Sequence, residues 1–263
     1  MHTSSQFPGW IPDLPDFRDY RYIAPGSTLE NLPLQWDMRQ KSPVVYYQDS
    51  LHSCTANAIA GAFQFELSNQ RKPAFQPSVL FIYYNQRRIQ NTVNTDSGAS
   101  IRDGLYTMRH DGVCRDEKWK YVIHEFTKKP FESCYTDALK HKIKNYYSLD
   151  REINQMKACL ADNHPVIAGF SVYESFFDQQ VLQHGVVNMP VKKEKRVFGH
   201  AALVVGYDDA KGCFILRNSW GNSWGNGGYF TMPYEYLLDK RLAQDFWMIR
   251  LAGDTTGPEG VME

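Results

Sequence analysis

Cys54 has the most chemical reach of any residue in this chain, because the alanine-rich apolar run that follows it, residues 55–67, reads as a buried helix starting at the thiol. A thiol attacks a carbonyl carbon efficiently only as thiolate, and near neutral pH a free thiol is mostly protonated. A helix N-terminus supplies a partial positive charge that favours the thiolate, and a facing imidazolium adds a full one. His200, in Gly199-His200-Ala201, is the candidate imidazole. It would later hand its proton to a departing amine. The side-chain carbonyl of Asn218 can accept the ring's other N–H and hold the ring in place. Gln48 carries an amide N–H that, with the Cys54 backbone N–H, can stabilise a tetrahedral oxyanion, and such a donor is worth roughly 3–4 kcal/mol. Taken singly, each residue also has a plain structural reading: an inert buried thiol, a satisfied core histidine, a turn asparagine and a loop glutamine. His52 stands two positions before Cys54, but closeness in sequence does not set its ring beside the sulfur.

Cys54 and His200 are 146 positions apart, and His200 and Asn218 are 18 apart, so only a fold that closes two regions on each other can unite them. The first half of the chain reads as helical. Pro77 opens a second helical pattern that runs through Ile89, with proline near the first turn, and residues 100–110 form a third, ended by Gly112. After His164 the pattern changes to short apolar runs of strand composition at 166–172, 201–207, 214–218 and 228–232. Residues 221–228 supply the turn chemistry between the last two. Helices first and strands second is an α+β order.

The order Gln48, Cys54, His200, Asn218, closed by Asn218-Ser219-Trp220-Gly221-Asn222-Ser223-Trp224-Gly225, resembles the papain-like cysteine peptidases. The resemblance extends from about Leu32, where Leu32-Pro33 and Trp36-Asp37-Met38-Arg39 are similar to the entry of the mature domain, to about Leu251. It implies a papain-like α+β fold, with a helical domain at 32–150 that bears the nucleophile. A β-barrel-like domain at 151–263 would bear the histidine and asparagine across a cleft. It also implies a cysteine endopeptidase working through a thioester acyl-enzyme, with Cys54 as nucleophile, His200 as acid/base, Asn218 as orienter and Gln48 in the oxyanion hole. Polypeptide is the implied substrate, with no metal and no organic cofactor. Trp220 would shield the His200–Asn218 hydrogen bond, and Gly98, Ala99, Ala201 and Trp220 would contact substrate, the first two on the non-primed side. Two rivals share the scaffold: a hydrolase or acyltransferase on isopeptide bonds, such as one removing a ubiquitin-like tag, and a catalytically silent binding module.

The chain departs from the family pattern in three places. Leu51 replaces the cysteine of the usual disulfide, so that bridge cannot form, and His52 replaces a glycine beside the bound peptide. Ala99 replaces the second glycine of a Gly-Gly pair. The expectation is a divergent member without the family's long helical propeptide. Five scattered cysteines without a C-x-x-C argue against a disulfide framework and a zinc site alike. With 29 basic and 29 acidic residues there is no electrostatic case for nucleic acid or an acidic membrane. No apolar run approaches the ~20 residues of a spanning helix. The first twenty residues lack the apolar block of a secretory signal, which gives the expectation of a cytoplasmic protein or one exported without a signal peptide.

Residues 1–31 hold four of the thirteen prolines, and Trp10, Phe17, Tyr20 and Tyr22 are interleaved with acidic side chains. Such a segment is too aromatic for a free tail and reads as an extended strap packed on the protein. It either lies across the cleft and autoinhibits the enzyme or braces the back of the β-rich region.

Overall fold

The computed structural model describes residues 9–252, so residues 1–8 of the strap and 253–263 at the other end lie outside the described part. The elements run α1 (Gly26–Glu30), β1 (Gln35–Asp37), α2 (Cys54–Asn69), α3 (Val79–Ile89), α4 (Ile101–His110), α5 (Glu132–Ala138), β2 (Ile143–Ser148) and α6 (Ile153–Ala161). The second half adds β3 (Val166–Tyr173), α7 (Gln179–His184), β4 (Arg196–Asp208), β5 (Cys213–Arg217), β6 (Tyr229–Pro233), α8 (Tyr234–Leu238) and β7 (Ala243–Leu251). The fold is α+β, as read from the sequence, with β1 and β2 falling before the predicted change to strands and α7 and α8 lying among the later strands.

Thirteen of the sixteen residues of α2 are buried, on every side of the helix. A helix apolar all round belongs inside a protein, and the small residues of this one let it lie close against the sheet. Gly61 marks the closest approach: a Cβ there would fall 2.3 Å from Nη1 of Arg217 on β5. The next two helices start at serine caps. Ser78 Oγ accepts from Phe81 N at 3.1 Å, and Ser100 Oγ accepts from Asp103 N at 3.2 Å, each meeting one unpaired donor of its helix.

All seven strands join one antiparallel sheet in the order β2-β7-β3-β4-β5-β6, with β1 paired to β4. The helices α2 to α5 fall within 32–150 and the strands β3 to β7 within 151–263, while β1 and β2 come from the earlier segment. Seven of the eight residues of the central strand β3 are buried, because both of its faces are covered. In register, Phe170 of β3 opposes His200 of β4, and Gly169 opposes Ala201.

The described part of the strap runs along the cleft first and along the sheet edge after it. At its start, Trp10 N donates to Gly199 O at 3.0 Å, Ala99 N donates to Gly9 O at 2.9 Å and Ile11 N donates to Ala99 O at 3.0 Å. Farther on, Ser148 N donates to Tyr20 O and Tyr22 N donates to Ser148 O, both at 2.8 Å, so residues 20–22 brace the free edge of β2. Arg102 of α4 fastens the stretch between. Its backbone N–H reaches Asp13 Oδ2 at 3.1 Å, Nη1 reaches Leu14 O at 2.6 Å, and Nε and Nη2 hold the two Asp19 oxygens at 3.1 and 2.5 Å.

Candidate active site

Cys54 is the first residue of α2, and the helix start is left without a side-chain cap. Ser53, the residue placed to cap it, instead pairs its hydroxyl with that of Tyr121 at 2.7 Å. The sulfur receives the free donors: the backbone N–H groups of Ala201, Thr55 and Cys54 itself all act to lower the thiol's pKa. His200 reaches the same cleft from the middle of β4, and both residues line a cavity of about 280 Å³ with Gln48, His52 and Trp220.

The orientation of the imidazole follows from its partners. Asn218 Oδ1 accepts from Ser219 N at 2.8 Å, which fixes that atom as the carbonyl oxygen, and it lies 2.9 Å from His200 Nε2. The proton of a neutral ring therefore sits on Nε2, leaving Nδ1 as the basic nitrogen. Trp220 lies over the ring with centroids 4.9 Å apart, and Phe170 meets it edge-on at 5.6 Å. The His200–Asn218 bond is thereby kept from water.

Gln48 is held as firmly. Its backbone N–H donates to Ser219 O at 2.8 Å, its Oε1 accepts from Ser219 Oγ at 2.6 Å and its Nε2 donates to Leu51 O at 2.8 Å. One Nε2 hydrogen is left over for a second acceptor. The pairing of residues 46–48 with 219–221, through Tyr47 opposite Trp220, is what carries Gln48 to Asn218 across so much sequence.

Of the four residues predicted to contact substrate, Gly98 and Ala99 are already in contact with the strap. Ala99 pairs with Trp10 as above, and a Cβ on Gly98 would fall 2.1 Å from Gly9 O. Gly9 itself covers the nucleophile: a Cβ built on it would lie 3.6 Å from Cys54 Sγ. Ala201 is buried under the sulfur on β4, and Trp220 lines the cavity. His52 turns away from catalysis toward Asp96, whose Oδ2 is 3.0 Å and whose backbone oxygen is 2.9 Å from Nδ1; this partner raises the pKa of the ring.

Burial under this cover keeps the pair neutral. Desolvation pushes the Cys54 thiol up to about 12, against the pull of its three N–H donors, and drives His200 down to about 4 against the hydrogen bond to Asn218. The sequence leads one to expect a thiolate–imidazolium pair. With Gly9 in place, loss of water around both groups outweighs the helix charge, since burial disfavours whichever form is charged.

Sequence reasoning did not find Asp245, Arg102, Asp96 or Gly169 at the cleft. Asp245 and Gly169 sit within strands whose composition carries no chemical signal. Arg102 and Asp96 become meaningful only once their partners are known. All five cysteines are free and buried, and Leu51 packs in the core.

A thiol at a bare helix start, sharing a cleft with an imidazole that an amide carbonyl orients, is the arrangement a thiol-dependent acyl hydrolase needs, here on an α+β scaffold. The sequence profile described as papain family cysteine protease matches residues 32–241, and the chain belongs to that family. It is 42% identical, over 96% of its length and 89% of the relative's, to an uncharacterised peptidase C1-like protein of Acanthamoeba polyphaga mimivirus. Its structure is similar to that of xylellain, a cysteine protease from Xylella fastidiosa, with a TM-score of 0.90 and 41% identity, covering 96% of this chain and 98% of that one. A digestive procathepsin L 3 of Tenebrio molitor shares the fold at TM-score 0.73 and 18% identity, covering 93% and 76% of the two chains. The protein is a cysteine endopeptidase, a hydrolase whose substrates are polypeptides.

Proposed function

We propose that Cys54, His200, Asn218 and Gln48 carry out this hydrolysis and that the strap keeps the enzyme latent by filling its own cleft. In this reading His200 Nδ1 takes the thiol proton as Cys54 Sγ attacks the peptide carbonyl. The oxyanion is met by the Cys54 backbone N–H and the spare Gln48 Nε2–H. The imidazolium then protonates the leaving amine, and water hydrolyses the thioester by the reverse sequence. The observation that carries latency is the position of Gly9 and Trp10, bonded to both walls of the cleft with Gly9 against the sulfur.

The strap is a poor substrate by its own geometry. The Gly9 carbonyl oxygen is held by Ala99 N–H at 2.9 Å, on the cleft wall rather than at Gln48. A carbonyl held away from the oxyanion donors is not activated for attack. Because residues 20–24 also brace β2 and α6, deleting the whole strap would damage the fold, and the informative change is Trp10→Ala. It should raise kcat/KM per folded molecule on a short peptide by about tenfold or more, even though loss of a buried ring lowers Tm by up to about 20 °C. Unchanged kcat/KM in Trp10→Ala would refute latency by the strap.

A further inference from the structure

We infer that Tyr121 is a positioning residue for the oxyanion hole, its hydroxyl fixing the turn that aims the Gln48 amide at the carbonyl under attack. The inference rests on the proposed oxyanion role of Gln48 and adds to it a residue that acts through Gln48. The cavity is lined by Gln48, Cys54 and His200 but not by Tyr121, so any effect of the phenol has to travel through bonded neighbours.

The Gln48 side chain is only as fixed as the turn that follows it. One Nε2 hydrogen is given to Leu51 O at 2.8 Å, three residues on. Between the two stands Asp49 with a φ of +51°, a left-handed conformation that residues with a side chain populate sparsely. Such a backbone persists only where its surroundings hold it. On the near side, Gln48 N donates to Ser219 O at 2.8 Å. The carbonyl of the peptide joining Gln48 to Asp49 accepts from the Tyr121 hydroxyl at 2.7 Å. Because a peptide unit is planar, this second bond fixes the orientation of the whole unit that enters the left-handed residue.

The direction of each proton follows from the partners. A carbonyl oxygen cannot donate, so the single phenol proton of Tyr121 goes to Gln48 O. Ser53 Oγ, 2.7 Å from the phenol oxygen, is then the donor of that pair. Ser53 Oγ in turn accepts from Asn57 Nδ2 at 3.1 Å, and the same amide donates to Ser53 O at 2.9 Å. One line of donors thus runs from the first turn of α2, through the residue before the nucleophile, to the peptide after Gln48. Hydrogen bonds in such a chain strengthen one another. The line joins the two sources of oxyanion donors, the Cys54 backbone N–H and the Gln48 amide. Tyr121 is itself placed by an anchored turn. Asp116 N donates to Gln76 O at 2.8 Å, Trp119 N to Asp116 O at 3.1 Å, and Ser78 Oγ to Trp119 O at 2.5 Å. A segment tied to the start of α3 therefore carries the phenol to Gln48 across 73 positions.

The test compares Tyr121→Phe, which keeps the ring and loses the proton donor, with its parent. Both are full chains carrying Trp10→Ala, so that the cleft is open, and every value is taken per folded molecule. Three quantities are read. The first is kcat and KM on a short fluorogenic peptide. The second is the inhibition constant of a peptide aldehyde, whose thiol adduct puts an oxygen where the tetrahedral intermediate has its oxyanion. The third is the rate at which iodoacetamide alkylates Cys54, a displacement of iodide that forms no oxyanion. Tyr121→Phe should lower kcat about tenfold, less than loss of the Gln48 donor itself, with KM within about twofold. The aldehyde should weaken by about the same tenfold, while alkylation stays within about twofold of the parent rate. A fall in alkylation in step with kcat would report loosening of the α2 start and overturn the assignment. On a Gln48→Ala background Tyr121→Phe should cost no more than about twofold further, since the phenol acts through that amide. A full tenfold loss on that background would overturn the assignment as well. Full activity in Gln48→Ala removes the oxyanion role of Gln48 and this assignment with it. A loss of roughly a hundredfold in Gln48→Ala with none in Tyr121→Phe overturns the assignment of Tyr121 alone.

Discussion

At the scale of single residues, burial decides the state of Cys54 and His200. Cys54 and His200 are held uncharged by the same loss of water, so the chemistry needs uncovering before it needs a better base. Removing the sulfur should abolish turnover without unfolding the chain, since Cys54→Ala exchanges one small buried group for another. Peptide hydrolysis and circular dichroism on Cys54→Ala check this, and normal turnover would sink the assignment of the nucleophile. Gln48→Ala should lower kcat by roughly a hundredfold to a thousandfold, the loss of one oxyanion donor. Full activity in Gln48→Ala would remove the oxyanion role and leave Gln48 as the strut that its bonds to Ser219 and Leu51 describe.

At the scale of elements, the strap meets the body through two acids. Burial and the charge of Asp245 raise Asp13 from its ordinary 3.8 to about 7, and burial raises Asp245 to about 6. The groups facing them are Arg102 and Ser100 at the start of α4 and Asp19 farther along the strap. Both pKa values are higher docked than in a released, hydrated strap, so docking takes up protons. The contribution is therefore complete below the ordinary carboxyl value near 3.8 and is lost as pH rises through 6 and 7. Closure should be tight in acid and loosen toward neutral pH. Asp13→Asn cannot ionise, so its kcat/KM should match the parent at pH 5 and fall severalfold below it at pH 8. Equal activity of the two proteins at both pH values would contradict the proton-linked latch.

At the scale of the whole molecule, catalysis depends on a helix and a sheet held at one spacing. Gly61 and Arg217 set it. Replacing a helical glycine by alanine ordinarily gains up to about 1 kcal/mol. Here the new methyl would meet a guanidinium that is itself buried and donates to Val44 O at 2.5 Å, so Gly61→Ala should destabilise by about 1–3 kcal/mol. Chemical denaturation reads the sign, and a gain in stability would contradict the close helix–sheet packing. The helices α2, α3 and α4 were legible in the sequence because each is an apolar run with a marked start, at Cys54, at Pro77 and at Ser100. The strands β3 to β6 were legible because they are short apolar runs bounded by turn residues. β7 was not, since the bulge at Asp245 breaks its alternation, and β2 was not, since Lys144 and Asn145 interrupt it. Gln48, Cys54, His200 and Asn218 were legible through their resemblance to a family pattern, whereas the cover over them depended on pairings between residues 9–13 and strands some two hundred positions away. The central claim is that Cys54 is a nucleophile armed by His200 and hidden by the strap. An epoxide probe that alkylates active-site thiols, followed by peptide mass mapping, tests it most directly. The account predicts labelling at Cys54 alone, slow in the native chain, about tenfold faster or more in Trp10→Ala, and lost when His200→Ala is added. Labelling at the same rate with and without Trp10, or labelling that survives the loss of His200, would contradict it.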